Sequence, residues 1–107
     1  MKHFIGWAFA AVLCTAAIGA RAVETGSAQE GHTMAKQVCS KCHAVESGDA
    51  YSPNLLAPTF DEIAGTPGMT ETALFAALRT SHKEMPNLIL SSDEIANLSA
   101  YILSLKQ

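Results

Sequence analysis

The residues best suited to chemistry in this chain are two cysteines and a histidine in one short run, Cys39-Ser40-Lys41-Cys42-His43. Two thiols three residues apart can each add to one of the two vinyl groups on the same edge of a porphyrin. The imidazole that follows at once is then placed under the iron. The spacing therefore predicts one covalently attached haem c, held by thioethers to Cys39 and Cys42, with His43 as the proximal iron ligand.

The ligand on the opposite face of the iron decides whether such a centre carries electrons or binds a substrate or gas. We predict Met85 as this distal ligand. It lies 42 residues after His43 in a loop between two amphipathic segments, where Pro86 holds the preceding residue extended and stiffens the loop. His82 is the rival, because imidazole also binds haem iron well. Histidine–methionine ligation closes both faces of the iron and suits electron transfer.

Three other side chains of suitable type are assigned to other roles. Met34 belongs to the apolar stripe of the first predicted helix, and His32 on the same helix is expected in solvent. Met69 precedes the helix-capping Thr70 and is expected to act as a hydrophobic staple onto Leu74 or its neighbours. None of these three is therefore predicted to bind iron.

The N-terminal residues have the composition of a cleaved signal peptide. Met1-Lys2-His3 is positively charged, residues 4–20 are uncharged and largely apolar, and Ala20-Arg21-Ala22 provides an A-x-A cleavage site. We therefore expect residues 1–22 to be removed on export to the periplasm, so that Val23 begins a mature protein without a stable membrane anchor. An uncleaved anchor is the alternative.

The cysteine count agrees with export and with the use of the motif. Cys14 lies in the signal peptide, where lipid attachment is a further alternative that the bulky Leu13 disfavours. After cleavage, Cys39 and Cys42 are the cysteines that remain, so the domain has no disulfide framework to stabilise it. A covalently held haem would serve that purpose in so small a domain.

The charge balance excludes one broad class of partner. The whole chain has seven basic and ten acidic residues and a formal net charge of −3. Loss of residues 1–22 removes two basic residues and no acidic ones, which leaves five basic against ten acidic side chains. Binding to nucleic acid rests on neutralising phosphates, so this balance argues against it.

Helix-capping signals recur along residues 23–107, and strand-like alternation is missing, so we predict a single all-α domain. Serine or threonine followed three residues later by glutamate gives capping boxes at Ser27, Thr59 and Ser91. The third predicted helix has the apolar face Ala73, Leu74, Ala77 and Leu78. Four helices are expected: Ser27 to about Cys39, Thr59 to Gly65, Thr70 to about Thr80, and Ser91 nearly to the C-terminus.

These residues together resemble a small bacterial class I c-type cytochrome with one haem. The resemblance runs from Gly31 to Leu105 and covers nearly all of the predicted mature chain. It implies an all-α fold of about four helices wrapped around one haem c, with 23–107 as the monohaem cytochrome c domain. The matching features, in order, are Cys39, Cys42 and His43 at the end of the first helix, Pro58 in Ala57-Pro58-Thr59-Phe60, Met85-Pro86, and Ala100-Tyr101-Ile102.

The resemblance also implies a function. It predicts a periplasmic, monomeric carrier of single electrons on a His/Met-ligated haem c, and not an enzyme. The partners would be redox proteins such as an oxidase, a reductase or a periplasmic dehydrogenase, of which the chain could also be a fixed subunit. We further expect Lys41 and Lys83 to form a docking surface, because they flank the ligands of an otherwise acidic protein.

The resemblance assigns two structural contacts. The carbonyl of Pro58 would accept a hydrogen bond from His43 and orient its ring. Gly31 and Tyr101 would touch where the first and last helices cross.

The chain departs from the family pattern at two points. Relatives often carry a bulky aromatic residue at the position of Ala35, and Met34 would here fill that space. Residues 23–107 also lack tryptophan. The haem propionates would then need other partners, for which the candidates are Tyr51, Ser52, Asn54 and Asn87.

Other chemistries also use these residue types. A dithiol oxidoreductase would bring a βαβ pattern, and a zinc site would need a fourth ligand, for which His82 is the obvious candidate. The more serious alternative keeps the haem: a five-coordinate haem enzyme or a gas-binding or sensor cytochrome, with Met85 not ligating. The sequence offers no Arg or His pair that resembles a distal acid–base set. The electron carrier is therefore the favoured interpretation.

Overall fold

The computed structural model of this chain describes residues 26–80, 85–86 and 88–107, and every secondary-structure element in these ranges is helical. The predicted signal peptide, the rival ligand His82, and Lys83 and Asn87 lie outside the described residues. The all-α prediction is confirmed for the part described. The elements are α1 (Ala28–Met34), a π-helical segment (Ala35–Cys39), α2 (Phe60–Ala64), α3 (Glu71–Arg79) and α4 (Ser92–Ser104).

Local capping interactions begin α2 and α4 as predicted. Thr59 Oγ1 accepts a hydrogen bond from the backbone N–H of Glu62 at 3.1 Å, and the Glu62 carboxylate accepts one from the N–H of Thr59 at 2.8 Å. Ser91 and Glu94 form the same reciprocal pair at the start of α4. Both capping boxes satisfy backbone donors that a helix start leaves free.

The capping box predicted at the start of α1 is only half formed. Ser27 Oγ accepts from the N–H of Glu30 at 3.2 Å, but the N–H of Ser27 donates to Asn97 Oδ1 of α4 at 2.8 Å. The Glu30 carboxylate instead accepts from the Asn97 amide at 2.9 Å. A contact between distant residues therefore replaces the local one, because Asn97 reaches the N-terminus of α1.

The first predicted helix has the expected extent but changes geometry along its length. The backbone widens into a π-helical turn at Ala35–Cys39, where the N–H of Ser40 donates to the carbonyl of Ala35 at 3.0 Å. Such wide turns are frequent at functional sites. This one delivers the chain directly into the Cys39–His43 motif.

Helices α1 and α4 cross in close contact at Gly31. A Cβ atom placed on Gly31 would lie 1.9 Å from the carbonyl oxygen of Asn97 and 2.9 Å from the Cβ of Tyr101. The predicted contact of Gly31 with Tyr101 is therefore confirmed. Since any side chain at Gly31 would collide with the α4 backbone, glycine is required for this crossing.

Two side-chain predictions for α1 and α3 are wrong. His32 is not simply solvated: its ring stacks on Tyr101 at 4.5 Å between centroids and binds the Glu46 carboxylate. On α3, Leu74 is buried and Leu78 half-buried, whereas Ala73 and Ala77 are exposed. Ala77 nevertheless lines the cavity described below, which explains its apolar character.

The core lies between α1, α2, α3 and α4. Its buried side chains include Ala35, Phe60, Leu74, Leu98 and Ile102, with Met34 and Met69 packed against them. Met34 thus has the core role predicted for it. None of the helices in the described ranges has both the length and the apolar composition needed to cross a bilayer.

Candidate functional site

The motif Cys39–His43 is folded as one helical turn at the end of the π-helical segment. The N–H of His43 donates to the carbonyl of Cys39 at 2.9 Å, and the N–H of Cys42 donates to the same carbonyl at 3.2 Å. Residues three apart in such a turn lie on one side of it. The carbonyl of Cys42 then accepts from the N–H of Asn54 at 3.1 Å, which fixes the turn against the following loop.

A hydrogen bond to the backbone fixes the ring of His43. Its Nδ1 lies 2.6 Å from the carbonyl oxygen of Pro58. A carbonyl only accepts hydrogen bonds, so Nδ1 carries the proton in this pair. In the neutral ring Nε2 is then the nitrogen with a free electron pair, which is the state needed to bind a metal. The contact implied by the resemblance is present.

Phe60 supports the same ring from the side. The ring centroids of His43 and Phe60 lie 5.5 Å apart with an interplanar angle of 52°, a tilted aromatic contact. Phe60 is buried, and its N–H donates to the carbonyl of Ala44 at 2.9 Å. The start of α2 therefore holds both the His43 ring and the backbone that follows it.

A cavity of about 380 Å³ opens next to this turn. Its volume lies within the usual range for small-molecule and cofactor sites, about 300–1,000 Å³. The walls come from residues 38–43, α2, α3, α4, the loop 54–58, and Met85, Pro86 and Leu88. They are largely apolar and include Val38, Leu56, Ile63, Leu74, Leu78, Leu88, Leu98 and Ile102.

The predicted site residues meet at this one cavity. Cys39, Cys42, His43, Pro58 and Met85 all line it, although they are spread over nearly half of the chain. The apolar walls suit a flat hydrophobic macrocycle, and the thiols, the imidazole and the thioether are the donors that a covalently bound haem requires. The residues present therefore fit a haem c.

Four further polar residues of the prediction can be placed. Lys41 lines the cavity, and it is the only lysine or arginine among the described lining residues. Asn54 also lines it, with Oδ1 accepting from the N–H of Leu56 at 3.0 Å. Ser52 is buried and its hydroxyl accepts from the N–H of Ala44 at 3.0 Å, while Tyr51 is exposed.

Met69 also lines the cavity, so a second methionine comes near the site. The sequence reasoning assigned Met69 only to packing beside Leu74, and both residues do lie against the core and the cavity. Met34 and His32 are not among the lining residues. The sequence held one signal for this placement of Met69: it directly precedes Thr70, the N-cap of α3. An apolar residue at that position often packs against the start of the helix.

The electrostatics of the cysteine pair disfavour thiolate chemistry. Burial, and to a smaller extent the nearby Cys42, raises the pKa of the Cys39 thiol to about 11. Reactive dithiols work in the opposite way, with a lowered pKa that populates the thiolate. Within the described ranges, no three His, Cys, Asp or Glu side chains cluster as a metal site would require.

The comparisons with known proteins agree with this site. Residues 26–102 match the family described as cytochrome C oxidase, cbb3-type, subunit III. The chain is also 30% identical over 104 residues to cytochrome c-552 of Bradyrhizobium diazoefficiens. This alignment covers 97% of the chain and 96% of the relative. No solved structure gives a significant match.

An all-helical domain with a C-x-x-C-H turn beside an apolar cavity defines a haem-binding protein of the c type. The chain belongs to the cytochrome c family and is a small monohaem c-type cytochrome. Its cofactor is a covalently bound haem c, and its relatives are electron-transfer proteins that are generally not enzymes. Proteins of this family are typically periplasmic or otherwise exported.

Proposed function

We propose that this chain carries single electrons in the periplasm, on one haem c whose iron is bound by His43 and Met85, between respiratory or dehydrogenase partner proteins. The observation that carries the proposal is that His43 and Met85 line the same cavity as Cys39 and Cys42. Met85 belongs to a segment far from the motif in sequence, so only the fold can bring the two candidate ligands together.

The residues around the cavity have separable roles in this proposal. Cys39 and Cys42 would hold the cofactor by adding their thiol S–H across vinyl double bonds, sulfur to one carbon and hydrogen to the other. Pro58 keeps the proton of His43 on Nδ1 and thus leaves Nε2 for the metal. When bound, haem c supplies a reversible one-electron couple between Fe(II) and Fe(III).

Met85 would determine the redox character of the centre. A thioether is a soft ligand that favours the reduced metal, so His/Met ligation raises the reduction potential relative to two histidines. Met85 is half-buried and lines a largely apolar cavity, to which Leu88 also contributes. If His43 and Met85 both held the iron, no position on it would be open to a substrate, and the site would favour electron transfer.

The location and the partners follow from features outside the cavity. Export to the periplasm is supported by the signal peptide predicted at residues 1–22 and by the typical location of proteins of this family. The partners would be redox proteins that dock transiently on a monomer. The predicted net negative charge of residues 23–107 makes nucleic acid an unsuitable partner.

The ligand assignment is tested on the purified holoprotein by absorption spectroscopy of Met85→Leu, with Met69→Leu as the matched control. Leucine keeps the approximate volume and apolar character, so both variants should fold. We expect Met85→Leu alone to lose the far-red band of ferric methionine-ligated haem and to bind added imidazole. Loss of the band in Met69→Leu only would move the ligand to Met69.

An unchanged spectrum in both variants would overturn the proposed ligation and favour His82 or an open, five-coordinate iron. Mass spectrometry of the same samples gives an independent check on attachment and processing. It should show one added haem per chain and an N-terminus at Val23. A chain that still carries residues 1–22 would contradict cleavage without affecting the ligand assignment.

A further inference from the structure

His32 lies outside the haem cavity but at the junction of three parts of the molecule. Its Nε2 is 2.7 and 2.9 Å from the two carboxylate oxygens of Glu46. The same ring stacks on Tyr101 of α4, with centroids 4.5 Å apart and an interplanar angle of 19°. One side chain of α1 therefore contacts both α4 and the segment that follows the C-x-x-C-H turn.

That segment, Ala44–Glu46, is held at every residue. The N–H of Ala44 donates to Ser52 Oγ, and the Ala44 carbonyl accepts from the N–H of Phe60. The carbonyl of Val45 accepts from the Tyr101 hydroxyl at 2.5 Å. Glu46 is held by His32. Because Ala44 is bonded directly to His43, displacement of this segment moves the backbone of His43 as well.

The pair His32–Glu46 also brackets the whole attachment motif. The two residues are 14 apart in sequence, with Cys39, Cys42 and His43 between them. Their contact joins the helix that leads into the motif to the segment that leads out of it. A second connection between Tyr101 and His43 runs through the ring of Phe60. Its centroid lies 6.3 Å from that of Tyr101 and 5.5 Å from that of His43.

The contribution of the His32–Glu46 pair to the free energy of unfolding does not explain this arrangement of contacts. His32 and Glu46 are 34% and 48% exposed, and exposed ion pairs contribute little to the free energy of unfolding. The geometry is nevertheless specific, since both carboxylate oxygens and the flat face of Tyr101 are engaged at once. These contacts therefore fix the positions of His32, Glu46 and Tyr101 relative to one another.

We propose that His32 is a positioning residue for His43: through Glu46 and Tyr101 it fixes the Ala44–Glu46 segment and thereby the orientation of the axial imidazole. This inference rests on the proposed function, because it takes His43 as the iron ligand. It gives α1 a role at the redox site besides leading into the π-helical segment that carries Cys39.

The test separates positioning from folding with three variants of the holoprotein. His32→Gln keeps an N–H donor for Glu46 and loses the ring, and His32→Phe keeps the ring and loses the donor. Asn97→Ala is the matched control, because it breaks the contacts of Asn97 with Ser27 and Glu30 and leaves residues 44–46 untouched. All three variants should lower the melting temperature.

The decisive readouts are local. We expect both His32 variants to speed native-state exchange of the Ala44 amide hydrogen about 5-fold relative to amides of α3. They should also change the reduction potential and the spread of the haem-methyl proton signals in the ferric protein, which depends on the orientation of the axial ligands. Asn97→Ala should leave these three quantities at their wild-type values.

The inference is overturned if the His32 variants lose stability but behave like Asn97→Ala in the three local readouts, with wild-type Ala44 exchange, reduction potential and haem-methyl signals. His32 would then have only a structural role. Failure of the proposed function would look different. The wild-type protein itself would then lack the spectrum of a low-spin haem with a histidine ligand, before any change at His32.

Discussion

The replacement Gly31→Ala tests how strictly the crossing of α1 and α4 determines this fold. The added Cβ would lie 1.9 Å from the Asn97 carbonyl oxygen, 2.5 Å from the Asn97 carbonyl carbon and 2.9 Å from the Tyr101 Cβ. Two of these atoms are backbone, which cannot move away by changing a rotamer. The helices would have to separate by more than about 1 Å to restore ordinary contact distances of 3.5–4.0 Å.

The magnitude follows from two opposing effects. Overpacking a tight interface costs about 1–3 kcal/mol and occasionally more, and this overlap with backbone belongs at the upper end. Alanine is a better helix former than glycine by about 1 kcal/mol, which offsets part of the cost. We therefore expect a net loss of about 2 kcal/mol in the free energy of unfolding. For a domain of this size that lowers the melting temperature by about 8–16 °C.

The assay is thermal and urea unfolding of the holoprotein, followed by circular dichroism. Gly65→Ala is the matched control, because Gly65 has a right-handed backbone conformation and a Cβ there would approach the Asp61 carbonyl only to 3.2 Å. It should change the melting temperature by no more than about 4 °C. Equal melting temperatures for Gly31→Ala and wild type would refute the argument that close backbone contact at Gly31 holds α1 on α4.

Two further predictions concern α4. Ser99 is fully buried, and its hydroxyl has no hydrogen-bond partner among the described residues. Ser99→Ala should therefore leave the free energy of unfolding unchanged or raise it by about 1 kcal/mol. Ser52→Ala should lower it by about 1–3 kcal/mol, because the Ala44 N–H loses its acceptor. A marked loss of stability in Ser99→Ala on urea unfolding would contradict this. Burial, then the charges of Glu46 and Asp61, raise the pKa of Tyr101 above its ordinary value of 10.0. A folded-state pKa above the unfolded one means stability that is complete below about pH 10 and is lost as the pH rises through the folded value. Tyr101→Phe should therefore be less stable at pH 7 but show a smaller loss of stability than wild type as the pH rises above about 10. Parallel stability curves for the two proteins would contradict the assignment.

The features that the sequence determined are those fixed by neighbours in the chain. Each capping box joins residues three apart, so Thr59–Glu62 and Ser91–Glu94 could be read directly and begin α2 and α4 as predicted. The C-x-x-C-H turn is equally local, since its hydrogen bonds run from Cys42 and His43 back to Cys39. The haem c cofactor, the helical class and the family follow from this local information.

The tertiary structure alone decided what depends on residues far apart. Asn97 takes the N–H of Ser27 away from the predicted capping box, over a separation of 70 residues. His32 is only partly solvated because the fold brings Glu46 and Tyr101 to it, and helical periodicity does not contain that information. Met69, just before α3, likewise lines the same cavity as Met85 only because the chain packs against the core there. A pattern in the sequence reports the face of a helix, but the partner of that face is chosen when all the helices pack together.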